Sequence, residues 1–173
     1  IADGYTNSRV VKVDKNGRWT KTWGERGTGP GQFNILHTIA SDAKGNIYVG
    51  DRSNRRIQVF DGEGNYQRSI VLNVPYDKKR HPVLGNAPAT LPDETQPWTL
   101  CITNTTPQYL YVSDQEPGRV YKVTPKDGKI LGWFGESGRD KGQFNWIHAI
   151  ACPSENTLLI ADMNNWRLVK ATL

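Results

Sequence analysis

The chain has 173 residues, of which 23% are charged, 36% hydrophobic and 10% aromatic, with 17 glycines and 10 prolines. That balance predicts one globular, turn-rich domain or a large piece of one, and it excludes a disordered chain, a collagen and a coiled coil. Its net charge of +5 is compatible with an anionic partner without requiring one. Mean hydropathy is −0.63, and no run reaches the roughly 18 apolar residues that a membrane-spanning helix needs, so no membrane partner is expected. No basic segment followed by an apolar one opens the sequence at Ile1, so no targeting signal is expected here. A first residue other than Met, inside a strand pattern, reads as the loss of an N-terminal portion.

Four related units follow one another. Residues 1–24, IADGYTNSRVVKVDKNGRWTKTWG, predict three strands. Residues 31–70, GQFNILHTIASDAKGNIYVGDRSNRRIQVFDGEGNYQRSI, predict four, at His37–Ser41, Asn46–Gly50, Arg56–Asp61 and Tyr66–Val71. Asp42–Gly45, Asp51–Arg55 and Asp61–Gly64 supply the turns between them. A weaker copy begins at Trp98. The last begins at Gly142 and repeats Gly-Gln-Phe-Asn. Asp3, Asp51, Asp114 and Asp162 recur at spacings of 48, 63 and 48.

Four short strands in about 40–50 residues make a propeller blade. The expected fold class is therefore all-β: a β-propeller of about three and a half four-stranded blades. The blades fall at residues 1–30, 31–72, 98–138 and 142–173 of one domain, with 73–97 as an inter-blade insertion. Propellers close with about 4–8 blades, so a second chain or a missing N-terminal half is expected to complete the ring.

Within this frame most repeated residues read as structural. Asp51/Arg56, Asp114/Arg119 and Asp162/Arg167 recur in blade after blade, Asp accepting turn N–H groups and Arg bracing the next blade. Gln32-Phe33-Asn34 and Gln143-Phe144-Asn145 read as inter-blade packing, and the six tryptophans mostly as blade-surface fillers. Cys101 and Cys152 lie in apolar strands and are expected as buried free thiols. The basic run Lys78-Lys79-Arg80-His81 reads as a solvated loop, and no nucleic-acid partner is expected from it.

His37 and His148 are different. They occupy matching positions on two inner strands, which line a propeller's channel, and Trp98 holds that position in the third unit. Two imidazoles converging on one axis suit a Zn²⁺-type ion with a third protein ligand and an open position. The alternative is that each histidine simply packs. Tyr5 lies in a link one residue longer than its counterparts, six from Asp3 to Arg9 against five from Asp51 to Arg56. The extra residue can push the side chain toward the channel mouth, or Tyr5 is an ordinary surface tyrosine.

Gly29-Pro-Gly-Gln-Phe-Asn34, Asp42-Ala-Lys-Gly-Asn-Ile-Tyr-Val49 and Asp51-Arg-Ser-Asn-Arg-Arg-Ile-Gln-Val-Phe60 resemble the NHL repeat of six-bladed propellers. More narrowly, Asp3-Gly-Tyr-Thr-Asn-Ser-Arg9, His37, Asp51-Arg52, Asp114-Gln-Glu-Pro117 and His148 resemble the peptidyl-α-hydroxyglycine α-amidating lyases. That resemblance implies the C-terminal half or more of such a domain, with a peptide-like small substrate in the central channel. It implies zinc on His37 and His148, with the third ligand in an earlier blade outside this chain; His81 is a substitute to consider. It also implies Tyr5 as catalytic base for the substrate's α-hydroxyl. Because a tyrosine ordinarily titrates near 10, Arg52 would be the cation that helps it ionise. The product pair would be a peptide amide and glyoxylate, and an extracytoplasmic location is favoured.

Three departures stand out. Thr6 replaces a disulfide cysteine, Trp146 replaces a methionine, and Ala149 replaces an acid tied to a structural calcium, which puts a calcium site in question. The reading from another class is a non-catalytic NHL scaffold that binds protein or RNA.

Overall fold

A computed structural model describes residues 1–80, 92–115 and 117–173. The strands, in chain order, are β1 (Ala2–Asp3), β2 (Arg9–Val13), β3 (Trp19–Trp23), β4 (Glu25–Arg26), β5 (Gln32–Phe33), β6 (Leu36–Ser41), β7 (Ile47–Asp51), β8 (Arg56–Phe60) and β9 (Tyr66–Ile70). They continue as β10 (Pro97–Ile102), β11 (Leu110–Asp114), β12 (Val120–Val123), β13 (Ile130–Phe134), β14 (Glu136–Ser137), β15 (Gln143–Phe144), β16 (Ile147–Ser154), β17 (Thr157–Asp162) and β18 (Arg167–Thr172). Four antiparallel meanders result: β1-β2-β3, β6-β7-β8-β9, β10-β11-β12-β13 and β16-β17-β18. Two short parallel ribbons, β4-β5 and β14-β15, occupy the linkers before the second and fourth sheets. Three 3-10 turns, Arg52–Asn54, Lys78–Arg80 and Met163–Asn165, are the only helical elements among the described residues.

Aspartates write the tight turns. Lys44 N and Asn46 N both donate to Asp42 Oδ1 at 2.9 Å, and Glu63 N and Asn65 N do the same at Asp61. Each side chain thus substitutes for ladder bonds that the reversing backbone cannot make.

Strand alternation stacks the sheets. In β7, Val49 joins Val10, Phe33, Leu36 and Phe60 against the first sheet, while its neighbour Tyr48 joins Leu100, Val112 and Tyr121 against the third. In β11, Tyr111 turns toward Ile147 and Leu158 of the fourth and Phe144 of the ribbon before it. The second and third sheets therefore bury both faces, one against each neighbour, as the period of two along a strand allows, while the end sheets leave residues such as Leu159 and Leu168 exposed. Phe33 and Phe144, at 0% and 2% exposure, are the inter-blade packers expected of them.

The repeated Asp–Arg pairs fold the linkers, with one difference from expectation. Arg56 Nε meets Asp51 Oδ2 at 2.8 Å, while its Nη2 donates to the carbonyls of Gly29 and Gln32. Arg167 bonds Asp162 and the carbonyls of Arg139 and Asp140 in the same way. The arginine braces the linker entering its own blade, not the next blade, because that linker crosses the end of the strand that carries it.

Cys101 on β10 and Cys152 on β16 form a disulfide, Cα–Cα 6.1 Å, which corrects the expectation of free thiols. The two lie 51 residues apart in sequence, and only the packing of β10 beside β16 brings them together. In the loop-entropy account a bridge of this span stabilises by about 4 kcal/mol. The double substitution Cys101→Ala/Cys152→Ala should lower the urea midpoint accordingly, and an unchanged midpoint would show that the bridge adds nothing in solution.

Tyr121 OH donates to Asp114 Oδ2 at 2.6 Å in the interior. Burial, and then the Asp114 charge and hydrogen bond, push the phenol well above its ordinary value. The unfolded chain ionises Tyr121 near pH 10 while the folded chain holds its proton, so this tyrosine's stability contribution is complete below that pH and is lost as pH rises past it. Alkaline denaturation should therefore steepen above about pH 10, and Tyr121→Phe should flatten that slope.

Candidate active site

Inner strands β6, β10 and β16 lie side by side, and the same irregularity occurs in each. The pairing of β6 with β7 skips between Leu36 and Thr38, that of β10 with β11 between Pro97 and Thr99, and that of β16 with β17 between Ile147 and Ala149. The skipped residues are His37, Trp98 and His148. A β-bulge frees one residue from the ladder and re-aims its side chain, and here three bulges at one repeat position gather three rings. The His37 and His148 centroids are 5.4 Å apart, and Trp98 lies 4.7 Å from His37 and 6.0 Å from His148. Immediately before β6 and β16, Ile35 and Trp146 take left-handed φ of 57° and 64°, a turn that few non-glycine residues adopt.

Tyr5 and Arg52 come from the links that follow the repeated aspartates Asp3 and Asp51 of the first two units. Gly4 sets the first: a Cβ there would stand 1.6 Å from the Leu36 carbonyl oxygen. Only glycine permits that approach, and it brings the link against β6, with the Tyr5 ring 5.8 Å from His37. Arg52 opens the 3-10 turn Arg52–Asn54, pinned by Arg52 N to Ile35 O at 3.1 Å and Ser53 N to Asn34 O at 3.0 Å. Its Cζ lies 4.3 Å from the Trp98 ring and 5.7 Å from the Tyr5 ring. All four residues expected at the site, Tyr5, His37, Arg52 and His148, thus come into one cluster. His81 lies outside the described residues.

His37 Nδ1 and the Trp98 carbonyl oxygen are 2.6 Å apart. A carbonyl can only accept, so Nδ1 carries the proton and Nε2 keeps a lone pair. Burial holds the His37 pKa below its ordinary value against the pull of the Trp98 carbonyl, and the nearby charges of Arg52 and His148 add to the lowering. His37 is therefore a neutral imidazole at pH 7. A backbone carbonyl on the far nitrogen is the arrangement that orients metal-binding histidines.

Two imidazoles on one tetrahedral ion, with metal–nitrogen distances of about 2.0–2.1 Å, put their ring centroids about 5 Å apart. The His37–His148 spacing fits. Among the described residues no group of three His, Cys, Asp or Glu side chains surrounds one point, so His37 and His148 have no third such side chain beside them there.

Trp98 is the site residue that the sequence reading passed over. Its signal was present, since it holds the same repeat position as the two histidines. Other tryptophans fit the surface-filler reading, with Trp19 61%, Trp133 52% and Trp166 95% exposed, whereas Trp98 is 5% exposed.

Comparison with known proteins follows this geometry. The NHL repeat family matches residues 33–60. Peptidyl-glycine alpha-amidating monooxygenase B of Xenopus laevis is 30% identical over 169 residues, which is 94% of this chain and 17% of that protein. Human NHL repeat-containing protein 3 is 46% identical over 59 residues, 34% of this chain and 17% of that one. The chain thus spans less than a fifth of these relatives' lengths. Among solved structures, virginiamycin B lyase from Staphylococcus aureus superposes with a TM-score of 0.56 at 12% identity, covering 96% of this chain and 49% of that one, a likeness of fold. The chain is a β-propeller arc that carries an NHL repeat at residues 33–60, and it is similar along nearly its whole length to the peptidylglycine α-amidating monooxygenases.

Proposed function

We propose that this arc carries part of the active site of a metal-dependent lyase of the peptidyl-α-hydroxyglycine amidating type. The observation that carries the reading is the convergence of Tyr5, His37, Arg52 and His148, drawn from two sheets' inner strands and two inter-strand links. Similarity to the amidating monooxygenase over 94% of the chain supports it. His37 and His148 would hold the ion, which when bound supplies Lewis acidity toward the substrate's oxygen.

The chain's own residues do the rest. Tyr5, 69% exposed, is open to a substrate and, as its phenolate, accepts the proton of the α-hydroxyl and becomes the neutral phenol. The O–H electron pair becomes the C=O of glyoxylate as the C–N bond breaks, and the departing amide nitrogen takes up a proton. Arg52 holds a fixed positive charge beside that transfer.

The test is glyoxylate release from N-benzoyl-α-hydroxyglycine by zinc-loaded protein. Tyr5→Phe should cut kcat by about 10²–10⁴-fold, the range for a lost acid–base group, with KM little changed. No glyoxylate above background, or full activity in the Phe variant, would overturn the reading. The scaffold alternative gains no support from an RNA footprint. Lys12 is paired with Glu63, Lys78 with Asp93 and Lys122 with Glu155, so acids interleave the basic side chains.

A further inference from the structure

The third bulge has no counterpart in the chemistry above. Trp98 is lifted out of β10 just as the histidines are lifted out of β6 and β16. Its indole is 5% exposed, yet among the described residues its Nε1 has no hydrogen-bond partner. Burying an N–H donor unpaired costs free energy that phenylalanine in the same space would not incur. Filling the channel is therefore not what selects an indole here.

What the indole has is a cation against it. The Arg52 Cζ sits 4.3 Å from its ring centroid, nearer than to the Tyr5 ring. Tryptophan offers the strongest of the aromatic faces to a guanidinium, and more so away from water. Arg52 has little else to hold it. Among the described residues it makes no ion pair, and its Nε is buried without an acceptor. An arginine side chain with four free torsions would otherwise disperse its charge over many rotamers.

We infer that Trp98 is a positioning residue, whose indole holds the Arg52 guanidinium between itself and the Tyr5 ring and so fixes where positive charge stands beside the histidine pair. Its consequence for rate rests on the lyase reading, but the geometry belongs to the metal-free protein as well. Trp98 also carries the carbonyl that orients His37. Side-chain substitution leaves that carbonyl in place, so the two roles separate.

The experiment reads Arg52 directly. In ¹⁵N-resolved NMR of the metal-free protein, the Arg52 Nε–H signal, assigned by its loss in Arg52→Lys, should be displaced by the indole ring current. Trp98→Leu should return it to the ordinary arginine position. Trp98→Phe, which keeps a ring and the fold, should return it part of the way. A signal unmoved in the folded Phe variant overturns the proposal, whether or not the Leu variant folds. With activity as a second readout, Trp98→Phe should lower kcat/KM about tenfold in the natural background and not further beside Arg52→Lys. Equal losses in both backgrounds also overturn it. An unsubstituted protein without activity would sink the lyase reading alone, and the NMR comparison would still decide the place of Trp98.

Discussion

Replacing His37 and His148 together with alanine should abolish zinc retention. Loss of an outer-shell partner of a metal-binding histidine costs about 10–100-fold in affinity, and loss of the ligand itself should cost more. The expected result is zinc near one equivalent in the unsubstituted protein after dialysis, and background metal in the double variant, by elemental analysis.

The two single variants should differ in what else they do. His148 is exposed, so His148→Ala should leave the unfolding transition where it is. His37 is half-buried and donates to the Trp98 carbonyl, so His37→Ala should also cost about 1 kcal/mol for the lost bond. Undiminished zinc in the double variant would return both histidines to packing residues and remove the metal from the reading of this channel.

How much of this could be read from the sequence differs by residue, for physical reasons. Strand positions were legible because turns announce themselves locally: Asp42 and Asp61 each precede a glycine by three residues, and the predicted His37–Ser41 differs from β6 by one residue at its start, Asn46–Gly50 from β7 by one residue at each end. The histidine pair was legible because repetition carries a position from one blade to another across 111 residues. Cys101 and Cys152 were not, because a pairing across two blades depends on how neighbouring inner strands slide past each other, and nothing local to either cysteine records that. The direction of the Arg56 brace was missed for the same cause, since its carbonyl partners lie on a linker whose path only the packed sheets define. Trp98 was visible but undervalued. Its role comes from Arg52, which belongs to a different sheet.

The largest effect on stability should come from Asp51→Ala, and its contrast with Asp3→Ala isolates burial as the cause. Both aspartates hold the arginine that opens the following strand, Asp51 with Arg56 at 2.8 Å and Asp3 with Arg9 at 2.9 Å. The Asp51 side chain is 0% exposed and that of its arginine 14%, against 31% and 33% for the other pair. Asp51 further accepts from Asn34 N, Asn54 Nδ2 and Gln58 Nε2. Removing it takes the charged partner from a mostly buried guanidinium and one acceptor from each of three donors, of which Asn54 and Gln58 keep a carbonyl partner, and breaking a buried pair in this way costs about 3–5 kcal/mol. At Asp3, water and salt screen the lost partner, so the change should be small and should shrink further in salt.

Asn34, Asn54 and Arg56 also clamp the Arg52–Asn54 turn between the linker and β8. Asp51→Ala should therefore release Arg52 from Trp98 even at temperatures where the variant stays folded, coupling the blade's structural aspartate to the charge in the channel. Urea unfolding of the two variants at low and high salt checks the stability difference. If Asp3→Ala proves as damaging as Asp51→Ala, the repeated Asp–Arg pair stabilises through the turn it caps and not through burial.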